Sequence, residues 1–224
     1  MNAQSVLLFL GSYILGAIPF GFLIARARGI DITKIGSGNI GATNVHRALG
    51  WKAGIPVLLL DVLKGLAPPL VAKALGFSVD IAFLAGIAAV LGHCFSPFLK
   101  FKGGKGIATM LGAAWGATPL VAAGAMVAFA IVFAITRYVS LASILAAVAA
   151  IVLAFFFHDE ILIPLGYGLV WLFIMVKHKS NIRRLLNGEE PKTSLKGGEK
   201  REEAERLARQ DAKKAESEVG KDEE

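Results

Sequence analysis

Long apolar segments, separated by short polar stretches, occupy the chain as far as residue 176. Nearly uncharged runs of this length are typical of helices that cross a bilayer, and the mean hydropathy of +0.61 agrees with that reading. The pattern therefore predicts an all-α, multi-pass membrane protein. The apolar segments run approximately over residues 4–25, 54–75, 81–99, 107–136, 140–157 and 161–176.

The fourth apolar segment is too long for one straight span. As a single α-helix, residues 107–136 would measure about 45 Å, whereas the hydrocarbon core of a bilayer is about 30 Å thick. Gly112, Gly116 and Pro119 lie near its middle, and proline ends or kinks a helix. Division of this segment into two helices raises the count of membrane passes from six to seven.

The positions of the basic residues decide between six and seven passes. With seven passes and an outside N-terminus, nearly all basic residues of the apolar part fall on the cytoplasmic side, as the positive-inside rule requires. With six passes, Arg137 and the basic stretch at residues 177–184 would lie outside. We therefore predict seven transmembrane helices, with the N-terminus outside and the C-terminus in the cytoplasm.

The composition of the chain changes abruptly near its C-terminus. Residues 1–186 carry 15 Lys and Arg against 5 Asp and Glu, whereas the remaining residues carry 9 against 12. We predict a membrane domain over residues 1–188 and a charged cytoplasmic tail over residues 189–224, partly helical or disordered. The tail is expected to be accessory, so that deletion of residues 190–224 leaves activity largely intact.

The segment GSGNIGATNVHRALG, residues 36–50, concentrates glycines and small polar side chains. Its glycines allow backbone N–H groups to point at one spot, and a helix starting near Thr43 would add its own free N–H groups. Arg47, one helical turn further on, can reach the same anion with two donors. The segment favours a phosphate site. The alternative is a flexible loop followed by an arginine that reaches lipid headgroups.

A second glycine-rich segment, FKGGKGIAT at residues 101–109, combines Lys102 and Lys105 with three glycines. It resembles a phosphate-binding loop without the Walker spacing. An interfacial basic turn between two spans is the alternative, but such a turn needs lysines and does not need three glycines. The segment therefore favours a second anion site.

Four further ionisable residues lie in or next to the apolar segments. His178, with Asn181 three residues on, follows the last span and is a candidate general base, the alternative being an interfacial anchor. His93 lies in an apolar span, where a histidine is more often a packing residue than a catalyst. Asp61 and Lys64 are three residues apart within the second span, which predicts an internal ion pair.

Several kinds of catalytic site have no counterpart in the sequence. The apolar part has no carboxylate cluster for Mg²⁺, no His and Cys set for zinc, no His-x4-Asp motif and no GxSxG elbow. We expect no metal and no cofactor, and chemistry that uses backbone amides, Arg, Lys and His. A transporter of phosphate esters is the alternative function, but it would need polar residues along the whole path, and the fourth to sixth spans carry almost none.

Five segments resemble, in order, the motifs of the bacterial acyl-phosphate:glycerol-3-phosphate acyltransferase family, the PlsY type, over residues 5–188. The resemblance implies a seven-helix enzyme of the bacterial inner membrane whose active site faces the cytoplasm. It implies transfer of a fatty acyl group from acyl phosphate to the 1-hydroxyl of glycerol 3-phosphate, giving lysophosphatidic acid and inorganic phosphate in the first step of phospholipid synthesis. Membrane lipid is a further partner, with no nucleic acid and no obligate protein partner. The segments are GSGNIGATNVHRALG, LLDVLKG, GHCFSPFLKFKGGKGIAT, TRYVSLAS and HKSNIRRLLNG.

The resemblance also assigns roles to single residues. Ile40, where many relatives have proline, and Lys179, where many have arginine, are mild departures from the family pattern. Asp61 and Lys64 take a supporting role. The candidate catalytic residues are Ser37, Arg47, Lys105, His178 and Asn181. The candidate substrate-binding residues, from the motifs and the resemblance together, are Gly36, Gly38, Asn39, Gly41, Thr43, Asn44, His93, Lys102, Gly103 and Gly104.

Overall fold

The computed structural model of the protein describes residues 2–158 and 160–193. Over these two ranges the chain forms α-helices, two short 3-10 helices at Ile32–Lys34 and Pro97–Leu99, and no β-strand. The prediction of an all-α fold is therefore confirmed for this part of the chain. The α-helices are α1 (Ala3–Ala17), α2 (Phe20–Arg26), α3 (Ala42–Leu49), α4 (Trp51–Ala74), α5 (Val79–Cys94), α6 (Ile107–Ala117), α7 (Pro119–Thr136), α8 (Val139–Phe157), α9 (Leu162–Lys177) and α10 (Lys179–Leu186).

Most of these helices have the length and composition of membrane spans. Five segments qualify by themselves, and α9 with α10 qualifies as a sixth span, bent by 65°. Helix α6 is apolar but has only 11 residues, which is about 16 Å of helix. The protein is thus a multi-span membrane protein, while seven passes and an outside N-terminus stay predictions. The five segments are Ala3–Arg26, Trp51–Ala74, Val79–Leu99, Pro119–Thr136 and Val139–Phe157.

The long fourth apolar segment is divided at Thr118, as predicted from its length. Helix α6 ends at Ala117 and α7 begins with Pro119, a residue that suits the first turn of a helix because it needs no N–H partner there. Lys73 Nζ donates to the Ala117 carbonyl at 2.9 Å and so satisfies one of the free carbonyls at the end of α6.

The short helix α6 packs closely along α4 because glycines line their contact. A Cβ at Gly65 would overlap the backbone carbonyl of Thr109, and a Cβ at Gly112 would overlap that of Val62. Small residues let helix backbones approach each other in membranes, where the hydrophobic effect does not drive helix association. This contact fixes the N-terminus of α6 near the cytoplasmic loops predicted from the charges.

Two apolar clusters flank the loops that carry the glycine motifs. One is formed by α5 to α9 and includes the fully buried Phe83, Val121 and Ile163. The other is formed by buried side chains of α2, α3, α4 and the loop at residues 32–40, and it includes the fully buried Ile32 and Val45. The glycine-rich segments are therefore supported from below by packed side chains, although they are loops.

Candidate active site

A cavity of about 450 Å³ lies among α3, α6, α7, α8 and α9. Its two ends differ: we call the end lined by charged and polar groups the polar end, and the remainder, which runs between the helices, the shaft. The polar end is lined by Ser37, Asn39, Thr43, Asn44, Arg47, Asp61, His93, Lys105, Ser140, Ser143, His178, Asn181 and Glu190. The shaft is lined mainly by Met110, Leu111, Ala114, Val121, Ala122, Ala125, Phe129, Ala146, Ala147, Ala150, Tyr167, Val170 and Ile174.

Asn44 organises the first glycine-rich loop. Its Oδ1 accepts a hydrogen bond from the Ser37 amide at 3.1 Å, and its Nδ2 donates to the carbonyls of Ile35 and Asn39, each at 2.9 Å. Gly36 has φ +59°, and a Cβ there would lie 2.5 Å from Asn44 Oδ1. Both the backbone conformation and the close contact require glycine. The side chain of Asn44 thus holds the loop in shape.

The amides of this loop do not point together at one spot, so that part of the sequence-based prediction is wrong. The Gly38 amide donates to the Ile35 carbonyl at 3.0 Å, and the Gly41 amide donates to Asn39 Oδ1 at 3.0 Å. The cavity is instead bordered by the N-terminus of α3, where Gly41 and Thr43 line it. Helix N-termini attract anions through free N–H groups and the helix dipole.

The second glycine-rich loop is arranged in the same way. The amides of Gly103 and Gly104 donate to the carbonyls of Cys94 and His93 at 3.2 and 3.1 Å, so they are not directed at a ligand. These bonds fasten the loop to the C-terminal end of α5. The cavity is bordered by Gly106 and by the start of α6. A second helix N-terminus therefore faces the polar end.

A network of polar side chains closes one side of the polar end. Lys105 Nζ contacts Asn181 Oδ1. The carboxylate of Glu190 accepts hydrogen bonds from Asn181 Nδ2 at 2.6 Å, from the Ser140 hydroxyl at 2.7 Å and from Arg184 Nε at 2.7 Å. Two of these donors, Asn181 and Arg184, come from α10, and the third, Ser140, comes from α8. Glu190 therefore links α8 to α10 by hydrogen bonds. Lys105 contacts the same Asn181 side chain at the polar end of the cavity.

Two cations of the polar end are partly removed from water. Burial lowers the pKa of Lys105 to about 8, with the positive charges of Arg184 and Arg47 adding to this effect and Glu190 opposing it. Burial also lowers the pKa of the Arg47 guanidinium, which donates to the Pro191 carbonyl at 3.0 Å. Cations without a fully matching partner are ready to bind an anion, because the anion restores their lost solvation.

The buried His178 has a defined hydrogen-bond arrangement. It lies between α9 and α10, where the chain turns by 65°. Its Nδ1 is 2.9 Å from the Ile174 carbonyl, and a carbonyl can only accept, so Nδ1 carries the proton. In the neutral ring, Nε2 then has a free lone pair. His178 can therefore accept a proton from a group in the cavity.

Asp61, Lys64 and His93 form a buried cluster between the broken first span and the second glycine-rich loop. Lys64 Nζ lies 2.8 Å from Asp61 Oδ1 and donates to the Ile18 carbonyl at 2.8 Å, at the break between α1 and α2. His93 Nδ1 lies 3.6 Å from the same Asp61 oxygen, and the His93 ring is in contact with Gly104. The predicted internal ion pair is therefore present.

No group of three or more His, Cys, Asp or Glu side chains within residues 2–158 and 160–193 is arranged to hold a metal ion. The polar end is lined by two cations, Arg47 and Lys105, and by two carboxylates that are already paired with further cations, Asp61 with Lys64 and Glu190 with Arg184. It is therefore suited to bind anionic groups directly.

Comparison with known proteins gives the family. A family model described as Glycerol-3-phosphate acyltransferase matches residues 6–188. The chain belongs to the glycerol-3-phosphate acyltransferase family. Curated proteins of that name include one from Geobacter sulfurreducens, 50% identical over 182 residues that cover 80% of this chain and 92% of the relative. Another, from Aquifex aeolicus, is 42% identical over 188 residues that cover 84% of this chain and 98% of the relative.

Solved structures of the same family share the fold. The crystal structure of PlsY (YgiH), an integral membrane glycerol 3-phosphate acyltransferase, in its glycerol 3-phosphate form matches with a TM-score of 0.82 and 40% identity, over 86% of this chain and 96% of that chain. Its lysophosphatidic acid form matches with a TM-score of 0.79 at the same identity and coverage.

Most of the residues that the acyltransferase motifs predicted meet in one place. Lys102 does not: it is exposed and lies outside the cavity. The other predicted residues outside the cavity contact residues near its lining and do not line it themselves. They are Gly36, Gly38, Lys64, Gly103 and Gly104. Those that line it are Ser37, Asn39, Gly41, Thr43, Asn44, Arg47, Asp61, His93, Lys105, His178 and Asn181.

Three residues of this site were missed by reasoning from the sequence. Glu190 follows the last motif by two residues and was assigned to the tail, because the charged tail was predicted to begin at residue 189. Ser140 and Ser143 lie within the motif TRYVSLAS, which was noted for the resemblance without a role for its hydroxyls. Because Glu190 and Pro191 contact residues of the site, we expect a dispensable tail to begin only after Thr193, and the boundary of the tail stays a prediction. The predicted helical or disordered character of the tail beyond residue 193 lies outside the described residues.

Proposed function

We propose that this glycerol-3-phosphate acyltransferase transfers a fatty acyl group from an acyl phosphate to the 1-hydroxyl of sn-glycerol 3-phosphate, giving lysophosphatidic acid and inorganic phosphate, the first step of phospholipid synthesis. The observation that carries the proposal is one cavity that joins a cationic polar end to an apolar shaft. Such a cavity fits a donor with a phosphate head and a fatty chain, and it has room at the same end for a second anion.

The first task of the polar end is to bring two phosphate groups together. Two like charges repel by about 4 kcal/mol at 4 Å when the effective dielectric constant is about 20. Arg47 and Lys105 lie at this end, as do the N-termini of α3 and α6. Their combined positive potential offsets the repulsion and holds the hydroxyl near the acyl carbonyl, which is the larger part of catalysis for an already activated donor.

The reaction needs no covalent enzyme intermediate. The 1-hydroxyl oxygen forms a bond to the acyl carbon, and the bond from that carbon to the phosphate oxygen breaks. The hydroxyl proton ends on the released phosphate, so atoms and charges balance. Two groups can carry the proton: Nε2 of His178, whose tautomer leaves its lone pair free, and an oxygen of the donor phosphate. Replacement of His178 by Ala separates the two routes, since only the first is abolished.

The remaining residues take positioning and binding roles in this proposal. Ser37 and Asn181 supply polar groups to the reacting end alongside the two cations and His178. Asn39, Gly41 and Thr43 form the wall for the donor phosphate. Asp61 and Lys64, through their contacts at Ile18 and His93, position the second glycine-rich loop and with it Lys105.

We place the polar end on the cytoplasmic side of the bacterial inner membrane, with seven passes and an outside N-terminus. The basic loops support this orientation through the positive-inside rule. In this arrangement α6, which starts at the polar end and has 11 residues, supplies the fourth pass. The substrate glycerol 3-phosphate is then reached from the cytoplasm, and the fatty chain lies within the bilayer.

A donor comparison tests the proposed function. Purified protein is given glycerol 3-phosphate with palmitoyl phosphate, palmitoyl-CoA or palmitic acid, and lysophosphatidic acid is measured by mass spectrometry. We expect product from the acyl phosphate alone. Product from the CoA ester at an equal or higher rate would contradict the proposed donor.

Vesicles loaded with labelled glycerol 3-phosphate test the transporter alternative. The far end of the shaft is apolar and buried, so it offers no polar path for such a transporter.

A further inference from the structure

The shaft of the cavity ends inside the protein. Its deepest lining residues, Ala114, Val121, Ala122, Ala150 and Tyr167, are all at most 6% exposed. The next residues beyond this level on α6, α8 and α9 are buried as well and do not line the cavity; they are Ala117, Ala154 and Ile163. Packed side chains therefore close the shaft at its far end.

Tyr167 forms the floor of the shaft and is held from two sides. Its hydroxyl lies 2.7 Å from the Thr118 hydroxyl, at the break between α6 and α7. Its ring packs against Phe83 with 5.0 Å between ring centroids, and Gly166 permits this approach because a Cβ there would overlap Phe83. A hydrogen-bonded ring of this kind has little freedom to move aside for a ligand.

The length of the shaft corresponds to one fatty chain. From Ser140 at the polar end to Ala150 near the floor, helix α8 rises by about 15 Å, and the rise from His178 at the polar end back to Tyr167 on α9 is about 16 Å. One leaflet of a bilayer, half of a hydrocarbon core of about 30 Å, has the same depth of about 15 Å. Because the phosphate end of the donor is held at the polar end, the position of the last carbon depends on the number of carbons.

We propose that Tyr167 is the specificity-determining residue that limits the length of the acyl chain. It stops the terminal methyl group at the floor of the shaft, and Thr118 and Phe83 fix its position. The proposal rests on the proposed function and adds the substrate selectivity of the same site. Chains that end at the ring fill the shaft, whereas longer chains must bend or leave part of their length outside it.

Substitutions on the wall and floor of the shaft test this directly. Ala150→Phe fills the shaft near its floor, and Val148→Phe adds the same ring on the same helix at a position that is 37% exposed and outside the cavity. Tyr167→Leu removes the floor, and Tyr167→Phe keeps the ring while removing the hydroxyl. Each protein receives glycerol 3-phosphate and an equimolar mixture of saturated acyl phosphates from lauroyl to arachidoyl, and the chain composition of the product is read by mass spectrometry.

We expect Ala150→Phe to favour shorter chains and Tyr167→Leu to favour longer ones, each changing the ratio of neighbouring chain lengths about 10-fold, the usual effect of a methylene that does not fit. Val148→Phe should keep the wild-type profile, whereas Tyr167→Phe, which loses the hydrogen bond to Thr118, should shift the profile toward longer chains by less than Tyr167→Leu does. If Ala150→Phe does not fold, Ala150→Val should give a smaller shift in the same direction. Unchanged profiles in Tyr167→Leu and in the folded Ala150 variant would overturn the proposal. Failure of the wild type with every donor would instead overturn the proposed function.

Discussion

The polar end and the shaft belong to one cavity but are built in different ways. At the polar end, each working side chain comes from a different segment: Arg47 from α3, Lys105 from a loop, Asn181 from α10 and Glu190 from the chain beyond it. Each of these side chains is fixed by an individual hydrogen bond. The shaft is made from small apolar side chains of neighbouring helices, none of which makes a specific contact with a polar group except Tyr167.

This difference separates rate from selectivity. The loss of one atom at the polar end changes the charge or the geometry at the reacting bond, and so should lower turnover for every donor alike. A change of shape in the shaft leaves the reacting bond untouched, and so should alter which chain is preferred. The predictions below test this division, beginning with the largest effect.

Loss of a half-buried cation at the polar end should have the largest effect. We expect Arg47→Ala and Lys105→Ala each to lower kcat/KM by about 10²-fold or more, equally for short and long donors. Lys102→Ala is the matched control, since this exposed lysine belongs to the same loop and should change the rate by no more than about twofold. The rates are measured on purified variants whose thermal unfolding temperature equals that of the wild type. Equal losses at Lys102 and Lys105 would show that only the net charge of the loop matters.

Loss of Glu190 should have an intermediate effect. Its removal leaves Ser140, Asn181 and Arg184 without their shared acceptor, so we expect Glu190→Ala to lower the free energy of unfolding by about 3 kcal/mol and turnover by about 10-fold. Glu189 is an exposed neighbour, so Glu189→Ala is the matched control and should leave both stability and turnover unchanged.

A pair of truncations tests the same contact. A chain that ends after Thr193 should match the full-length protein, whereas one that ends after Glu189 should behave like Glu190→Ala. Thermal unfolding and initial rates are measured for both. A fully active and stable chain ending at Glu189 would show that the contacts of Glu190 and Pro191 are not needed.

The pH dependence should show the smallest effect. The pKa of Lys105 is lowered to about 8 by burial, and the anionic substrate requires the charged form, so kcat/KM for glycerol 3-phosphate should fall as the pH rises through 8. Between about pH 7 and pH 8.5 the expected loss is about fourfold, the change in the protonated fraction of a single group of that pKa. Lys105→Arg keeps its charge above this pH and should flatten the alkaline limb. An unchanged limb in that variant would assign the titration to another group.

The polar end was largely predictable from the sequence, because its residue types are costly anywhere else. Charged residues near apolar spans, such as Asp61 and Lys64, must pair or line a cavity, and glycines at positions such as Gly36 are needed where the backbone takes a positive φ. Basic residues on one side of the spans also favoured the division of residues 107–136 before the break at Thr118 was seen.

The shaft and the glycine amides were not predictable in the same way. Ala122 and Ala150 line the shaft, but an alanine in an apolar helix carries no signal that tells a cavity from a packed core. The direction of the amides at Gly38 and Gly104 depends on competing acceptors within each loop, which the spacing of glycines does not specify. Glu190 was hidden for a related reason, since a carboxylate in a charged segment is usually solvated.

The central claim is that the acyl group moves directly between two anions held together at the polar end. Phosphate release from palmitoyl phosphate, followed within the first turnover with and without glycerol 3-phosphate, tests it most directly. We expect phosphate to be released only when glycerol 3-phosphate is present, with one phosphate for each lysophosphatidic acid formed. A burst of phosphate equal to the amount of protein in the absence of glycerol 3-phosphate would reveal an acyl-enzyme and contradict the account.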